Sequence, residues 1–284
     1  MKIKILLLGA TGLLGQAWHR FLAQNSASVE LLTPSSNELN LLLETEIGSY
    51  LQQNKPDFVI NCVGYNQVDL AETDQEAQKL CQILNADLVK TLTDISKKNN
   101  FVLLQYSTDY VFDGKKSEPY TENDQQNPLS FYGQTKAEAE QYLQLNGGSY
   151  YLIRTAWLFG EGKTNFVEKM ISLADTQPEI KVVDDQIGSP TYTNDLVTAS
   201  WELITKNMDF GTYNIVNSGQ TSWYELTKKI FALINKNVNL SAIKTAEFKR
   251  PAPRPHFSVL TTTKTPALRG WELALKDYLT TITK

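Results

Sequence analysis

Short apolar runs alternate with stretches of helical spacing along the first half of the chain. IKILLL, residues 3–8, stops at a glycine and reads as a parallel strand buried on both faces. Residues 13–24 then carry a helix, 29–33 a second strand, 44–53 a second helix, and DFVINCVG (57–64) a third buried strand. Residues 71–92 read as a helix with a break, and FVLLQYST (101–108) as a fourth strand. A helix opens at Tyr132, and YYLIRTAWLFG (150–160) is strand-like. Strands alternating with helices predict the α/β class, a doubly wound parallel sheet covered on both faces.

After Gly160 the rhythm loosens. Residues 165–174, 195–205 and 223–234 read as helices, GTYNIV (211–216) as a strand, and IKVVDDQIGSPTY (180–192) as a strand and turn. KRPAPRPHFS (249–258) excludes an uninterrupted helix, because each proline removes a donor and blocks the preceding turn. A last helix starts at Glu272. The expected division is residues 1–160 as one domain and 161–284 as a smaller α/β domain, with part of 190–217 packing back on the first.

Composition adds exclusions. The chain has 284 residues, 42% hydrophobic and 20% charged, with net charge −4, which gives no basic surface for nucleic acid. No apolar run approaches the roughly 20 residues of a membrane span. The run from Ile5 to Leu8 is shorter than the roughly 7–15 residues of a signal-peptide core, so a cytoplasmic location is expected. Cys62, Cys81, His19 and His256 lie without metal-ligand spacing, and no metal is expected.

Chemistry enters with GATGLLG, residues 9–15. Gly9, Gly12 and Gly15 follow a strand and open a helix, with Thr11 in the turn. Such glycines permit a tight turn and close approach to a pyrophosphate, which the helix N-terminus attracts. The second strand ends in Thr33, Pro34, Ser35 and Ser36, with no carboxylate to repel a 2′-phosphate. That leans toward NADPH, with NADH possible and Glu38 nearby as a complication. The fourth strand runs from core into Ser107, Thr108 and Asp109, and strand ends are where doubly wound folds bind ligands. Tyr132 and Lys136 stand at i and i+4 on one helix face. A nearby ammonium is expected to lower the phenol pKa, so that the tyrosine exchanges a proton with a carbonyl oxygen that Thr108 orients.

These features resemble the extended short-chain dehydrogenase/reductase superfamily. STDYVFDG, NPLSFYGQTKAEAE, RTAWLFG, DQIGSPTYTNDL and RPHFSVL narrow the resemblance to the dTDP-4-dehydrorhamnose reductase family, in order over nearly the whole chain. The resemblance implies a Rossmann fold. It also implies reduction of the C4 keto group of a dTDP-4-keto-6-deoxy sugar, dTDP-4-dehydro-L-rhamnose first among them. It makes Thr108, Tyr132 and Lys136 catalytic. Tyr132 donates the proton, while Lys136 binds the nicotinamide ribose and tunes Tyr132. It assigns Gly12, Leu13 and Leu14 to the pyrophosphate and Asn40 and Leu41 to the adenine. Val63, Gly64, Tyr65 and Tyr106 become further cofactor contacts. Thr108, Asp109 and Trp157 face the sugar nucleotide, with Arg254 and Ser258 in its nucleotide-facing loop, Arg254 toward the diphosphate. Gln16 and Ala17 stand near where some relatives carry a glutamate for a metal-bridged dimer, so no bridge is expected, and the state is monomer or homodimer. Two other readings stay open: a nucleotide-sugar epimerase or dehydratase with tightly held NAD, and a non-catalytic NADP-binding regulatory subunit.

Overall fold

The computed structural model describes residues 2–282. Its first part runs β1 (Ile3–Leu8), α1 (Leu13–Gln24), β2 (Val29–Leu32), α2 (Glu44–Asn54) and β3 (Phe58–Asn61). The helical pieces α3 (Leu70–Thr73), α4 (Gln75–Gln82) and α5 (Leu88–Asn99) lead to β4 (Val102–Thr108), α6 (Phe131–Asn146) and β5 (Tyr150–Thr155). Then come β6 (Leu158–Phe159), α7 (Phe166–Thr176), β7 (Glu179–Val183), β8 (Ile187–Gly188), β9 (Thr191–Tyr192) and α8 (Thr193–Thr205). The chain closes with β10 (Gly211–Asn214), β11 (Thr221–Ser222), α9 (Trp223–Leu233), β12 (Asn239–Ile243) and α10 (Trp271–Ile282).

Six parallel strands make the main sheet, in the order β10–β5–β4–β3–β1–β2. The chain steps from β1 out to β2, then returns to start β3 on the other side of β1. That reversal opens a crevice at the carboxyl ends of the strands. Gly9 makes the turn there with φ 75°, and a Cβ on it would sit 3.0 Å from the backbone of Cys62 and Val63. Trp18, Leu22, Leu196 and Tyr213 pack one face of the sheet, under α1 and α8. Leu51, Leu92 and Leu143 pack the other, under α2, α5 and α6. A separate core of Val167, Met170, Ile180, Ile230 and Tyr278 holds the second body together.

The structure departs from the expected elements in three places. The break in 71–92 resolves into α3, α4 and a π-helical turn, Ile83–Asp87. Asp74 causes the first interruption: it is extended, and its carboxylate caps α4 by accepting from the Ala77 N–H at 2.8 Å. The strand expected over 150–160 ends at Thr155, because Trp157 takes the left-handed φ of 47° and sends β6 away to pair with β9. Strand β12 was not anticipated; it pairs parallel with β7, and its half-exposed NLSAI pattern gives no buried apolar run.

One charged pair sits inside this frame. Arg154 on β5 and Glu140 on α6 are 2% and 1% exposed, and Arg154 Nε and Nη2 donate to Glu140 Oε2 at 2.9 and 2.7 Å. Arg154 Nη1 donates to the Glu122 carbonyl at 3.2 Å. The Glu122 carboxylate in turn accepts from the Asn214 N–H (3.1 Å), the Thr262 hydroxyl (2.9 Å) and the Thr263 N–H (3.1 Å). The pair therefore ties α6, the sheet and the returning 260–263 segment. Glu140→Gln leaves the guanidinium buried without its counter-charge and should cost roughly 3–5 kcal/mol. Urea unfolding should show a lower midpoint at unchanged m; a midpoint equal to the parent's would deny the pair this role.

Candidate active site

Gly12 is the N-cap of α1 and has no side chain to offer its first turn, which also carries no acidic residue. The N–H groups there and the positive end of the helix are left for an anion. A Cβ on Gly15 would fall 2.0 Å from the Gly9 carbonyl oxygen, so only glycine lets the helix start this close to the turn. Beside it lies a cavity of about 800 Å³, lined among others by Gly9, Thr11, Asn40, Leu41 and Val63. The sequence reading had assigned all five to the cofactor. Thr33, Pro34, Ser35 and Ser36 line the same cavity. So do His19 and the cationic Arg20 from α1, two candidates that no local motif signals. Glu38 does not line it. Its carboxylate folds back to accept from the Ser35 N–H and hydroxyl, both at 2.8 Å, and these bonds hold its pKa below the usual carboxylate range. Among the described residues, no acidic side chain lines this cavity.

The second half of the site gathers at the ends of β4 and α6. Ser130 caps α6 by accepting from the Gly133 N–H at 3.1 Å. A Cβ on Gly133 would lie 2.4 Å from the Tyr110 carbonyl, so this glycine lets the first turn of α6 rest on the turn after β4. Tyr132 and Lys136 are both buried on that helix, at 8% and 6% exposed. Tyr110 meets the Tyr132 ring edge-on, with centroids 5.7 Å apart. Burial pushes the Tyr132 phenol well above its ordinary pKa, and the nearby Thr108 hydroxyl works against that rise. Desolvation is the largest cause, and the Asp109 charge adds to the rise. A phenol that keeps its proton is the form a reduction needs at the carbonyl oxygen. Burial also draws Lys136 down to about 8. Its Nζ lies 3.2 Å from where a Cβ on Gly64 would stand, and no hydrogen bond or ion pair engages it among the described residues. A buried ammonium turned toward the predicted Val63–Tyr65 segment suits ribose hydroxyls. The Tyr65 N–H and carbonyl are held by the Asn85 amide, at 2.8 and 3.1 Å, from the π-helical turn.

A second cavity, of about 690 Å³, lies beyond Tyr110. Phe166, Met170 and Trp223 give it apolar walls, while Lys169, Arg250 and Arg254 give it positive charge. Arg254 does line it, yet its guanidinium also grips Asp69 of the first part, Nη1 to Oδ1 and Nη2 to Oδ2 both at 2.9 Å. Burial raises the Asp69 carboxyl, but the bonds from Arg254, Arg250 and the Ala252 N–H outweigh it and hold the pKa at about 2.

Four assigned side chains are engaged within the protein. Tyr106 points into the core, donating to Ser200 Oγ at 2.8 Å and accepting from Trp18 Nε1 at 2.9 Å, and its carbonyl accepts from Gln105 Nε2 at 2.8 Å. Trp157 is stacked flat on Trp223 at 3.4 Å, and it is Trp223 that lines the cavity. Asp109 and Ser258 are each 2% exposed and bond to one another at 2.6 Å, turned inward because a buried carboxylate requires partners.

A dinucleotide turn, a strand-end threonine and a Tyr–Lys helix on one doubly wound sheet define an oxidoreductase of the nicotinamide-dependent kind. The family model for the RmlD substrate binding domain matches residues 2–284, and the chain belongs to that family. It is 35% identical to a spore coat polysaccharide biosynthesis protein of Bacillus subtilis, with 97% of this chain and 96% of that protein covered. A solved dTDP-4-dehydrorhamnose reductase of Clostridium acetobutylicum superposes with TM-score 0.94 at 36% identity, covering 99% of this chain and all of that one. One of Bacillus anthracis, solved with NADP, does so with TM-score 0.93 at 32% identity, again over 99% of this chain and all of that one.

Two outcomes follow from the site. Tyr132→Phe should lower turnover by roughly 10²–10⁴-fold with cofactor affinity kept, whereas Lys136→Met should lower both; equal losses of the same property in stopped-flow and cofactor titration would contradict the division. The lowered pKa of Asp69 contributes stability that is complete above the unfolded value near 4 and is lost as pH falls toward about 2. The stability gap between the parent and Asp69→Asn should therefore narrow across that window, as measured by thermal melts in acid.

Proposed function

We propose that the protein reduces the C4 keto group of a dTDP-4-keto-6-deoxy sugar with NADPH, converting dTDP-4-dehydro-L-rhamnose to dTDP-L-rhamnose. The observation that carries this is the set Thr108, Tyr132 and Lys136, with the threonine at the end of β4, the tyrosine and lysine buried at the start of α6, and Thr108 acting on the Tyr132 phenol, in a chain of this family. The dTDP-4-dehydrorhamnose reductases among the similar proteins, one of them solved with NADP, support both substrate and cofactor. The acid-free lining of the first cavity, with Ser35, Ser36 and Arg20, suits a 2′-phosphate and so NADPH over NADH.

When bound, the dihydronicotinamide supplies the hydride. Tyr132 holds the proton for the C4 oxygen. Lys136 binds the ribose beside it. Leu13 and Leu14 offer backbone N–H groups to the pyrophosphate. In the second cavity the aromatic wall takes the nucleoside, and Arg250, Arg254 and Lys169 take the diphosphate, Arg254 in a bidentate manner. Residues 1–160 form the cofactor part and 161–284 the sugar-nucleotide part, with α8 and β10 returning to the sheet. Mixed with NADPH and dTDP-4-dehydro-L-rhamnose, the protein should consume NADPH and form dTDP-L-rhamnose, read by absorbance and NMR. No consumption with this or any related 4-keto sugar would refute the reading. Protein purified with stoichiometric NAD and turning over without net oxidation would favour an epimerase or dehydratase.

A further inference from the structure

Helix α3 is four residues long, and the residues around it touch both the sugar-nucleotide loop and the start of α6. Asp69, just before it, takes the Arg254 guanidinium on both carboxylate oxygens and Arg250 Nη1 on Oδ2 at 3.0 Å. Ala71 is fully buried, in one apolar cluster with Tyr132, Tyr65 and Cys81. Glu72 Oε1 accepts from the Phe131 N–H at 2.6 Å, across 59 residues of chain. Phe131 is the first residue of α6 and Tyr132 the second. The first turn of α6 has no acidic residue of its own, and Ser130 caps the Gly133 N–H. Glu72 therefore brings from outside the acceptor and the negative charge that a helix start favours.

We infer that Glu72 is a positioning residue for Tyr132, and that through Asp69 the loop carrying Arg250 and Arg254 takes part in setting that position. Tyr132 lies between two anchored amides, Phe131 on Glu72 and Gly133 on Ser130. Its ring packs in the Ala71 cluster and meets Tyr110 edge-on. Thr108 acts on the phenol from the end of β4. Held on these sides, the phenol keeps one place relative to the C4 oxygen that takes its proton, and proton transfer depends steeply on such placement. Glu72 can hold the start of α6 only if α3 is itself held. A single helical turn has too few internal bonds to stand alone. The bonds from Arg254, Arg250 and the Ala252 N–H fix Asp69 at one end of α3, and the burial of Ala71 fixes its middle. Loss of the Glu72 carboxylate frees the first turn of α6. Loss of the Asp69 carboxylate loosens the base from which Glu72 reaches it.

The inference rests on the reductase reading, and its test separates the two. The experiment measures kcat and KM for dTDP-4-dehydro-L-rhamnose at saturating NADPH, and NADPH affinity by fluorescence without the sugar, in the parent, Glu72→Ala, Glu72→Gln and Glu72→Asp. Glu72→Ala should lose roughly ten- to a hundredfold in kcat, with KM and NADPH affinity little changed. Its solvent deuterium isotope effect on kcat should rise, because proton transfer from a displaced phenol is slower. Glu72→Gln, whose amide oxygen can accept the same N–H, should keep most of the parent's kcat. Glu72→Asp keeps the charge but is a methylene shorter, and should fall with Glu72→Ala. By carbon NMR of the protein alone, the Tyr132 ring signals should move in Glu72→Ala and Glu72→Asp and stay in place in Glu72→Gln. Adding Asp69→Ala to Glu72→Ala should lower kcat no further, since both losses run through one contact. A loss confined to KM, a Glu72→Gln as slow as Glu72→Ala, or kcat losses that multiply in the double variant would overturn the assignment. If Glu72→Ala fails to fold, the comparison of Glu72→Gln with Glu72→Asp still decides. A parent inactive on every 4-keto sugar would instead overturn the reductase reading, and the Tyr132 signals would remain as the measure of what Glu72 does.

Discussion

Arg154 and Glu140 meet where water does not reach, and each is worth keeping there only because of the other. Arg154 belongs to the strand whose register pairs Thr155 with Thr108, and Glu140 lies one helical turn beyond Lys136. The ion pair therefore fixes the distance between the sheet edge that carries the threonine and the helix that carries the tyrosine and lysine. Through Glu122 the same network reaches Asn214 and Thr262, so the segment that returns from the second part is held in the same frame. Positioning of this kind is what a reaction needing a proton donor and a hydride acceptor in register depends on.

Within that frame, desolvation governs the electrostatics. Tyr132, Lys136 and Asp109 are each driven toward the neutral form by burial. Asp69 shows the opposite outcome, because two guanidinium groups and a backbone N–H reach it. The difference is one of partners, not of depth.

How much of this was legible in the sequence depends on how local each feature is. The strand–glycine–helix start and the helix with Tyr132 and Lys136 follow from spacing over a few residues, and the structure has both, the second opening one residue earlier under a Ser130 cap. Arg20 and His19 came to the first cavity through a helix orientation that a short motif does not encode. Trp223 replaced Trp157 on the cavity wall because a left-handed residue after β5 laid one indole over the other. Strand β12 escaped notice because its buried and exposed positions do not alternate cleanly. The inward turn of Asp109 needed Ser258, distant in sequence and brought close only by the fold.

The Trp157–Trp223 stack joins the two parts of the protein, one indole following β5 and the other opening α9, with ring planes 6° from parallel. Two chromophores so close share their excited state. Their coupled absorption gives paired circular-dichroism bands of opposite sign, and the fluorescence of each is quenched by the other. Any change in the separation or angle of the two indoles alters that coupling directly, so the packing of the segment after β5 on the start of α9 is readable in solution without a label.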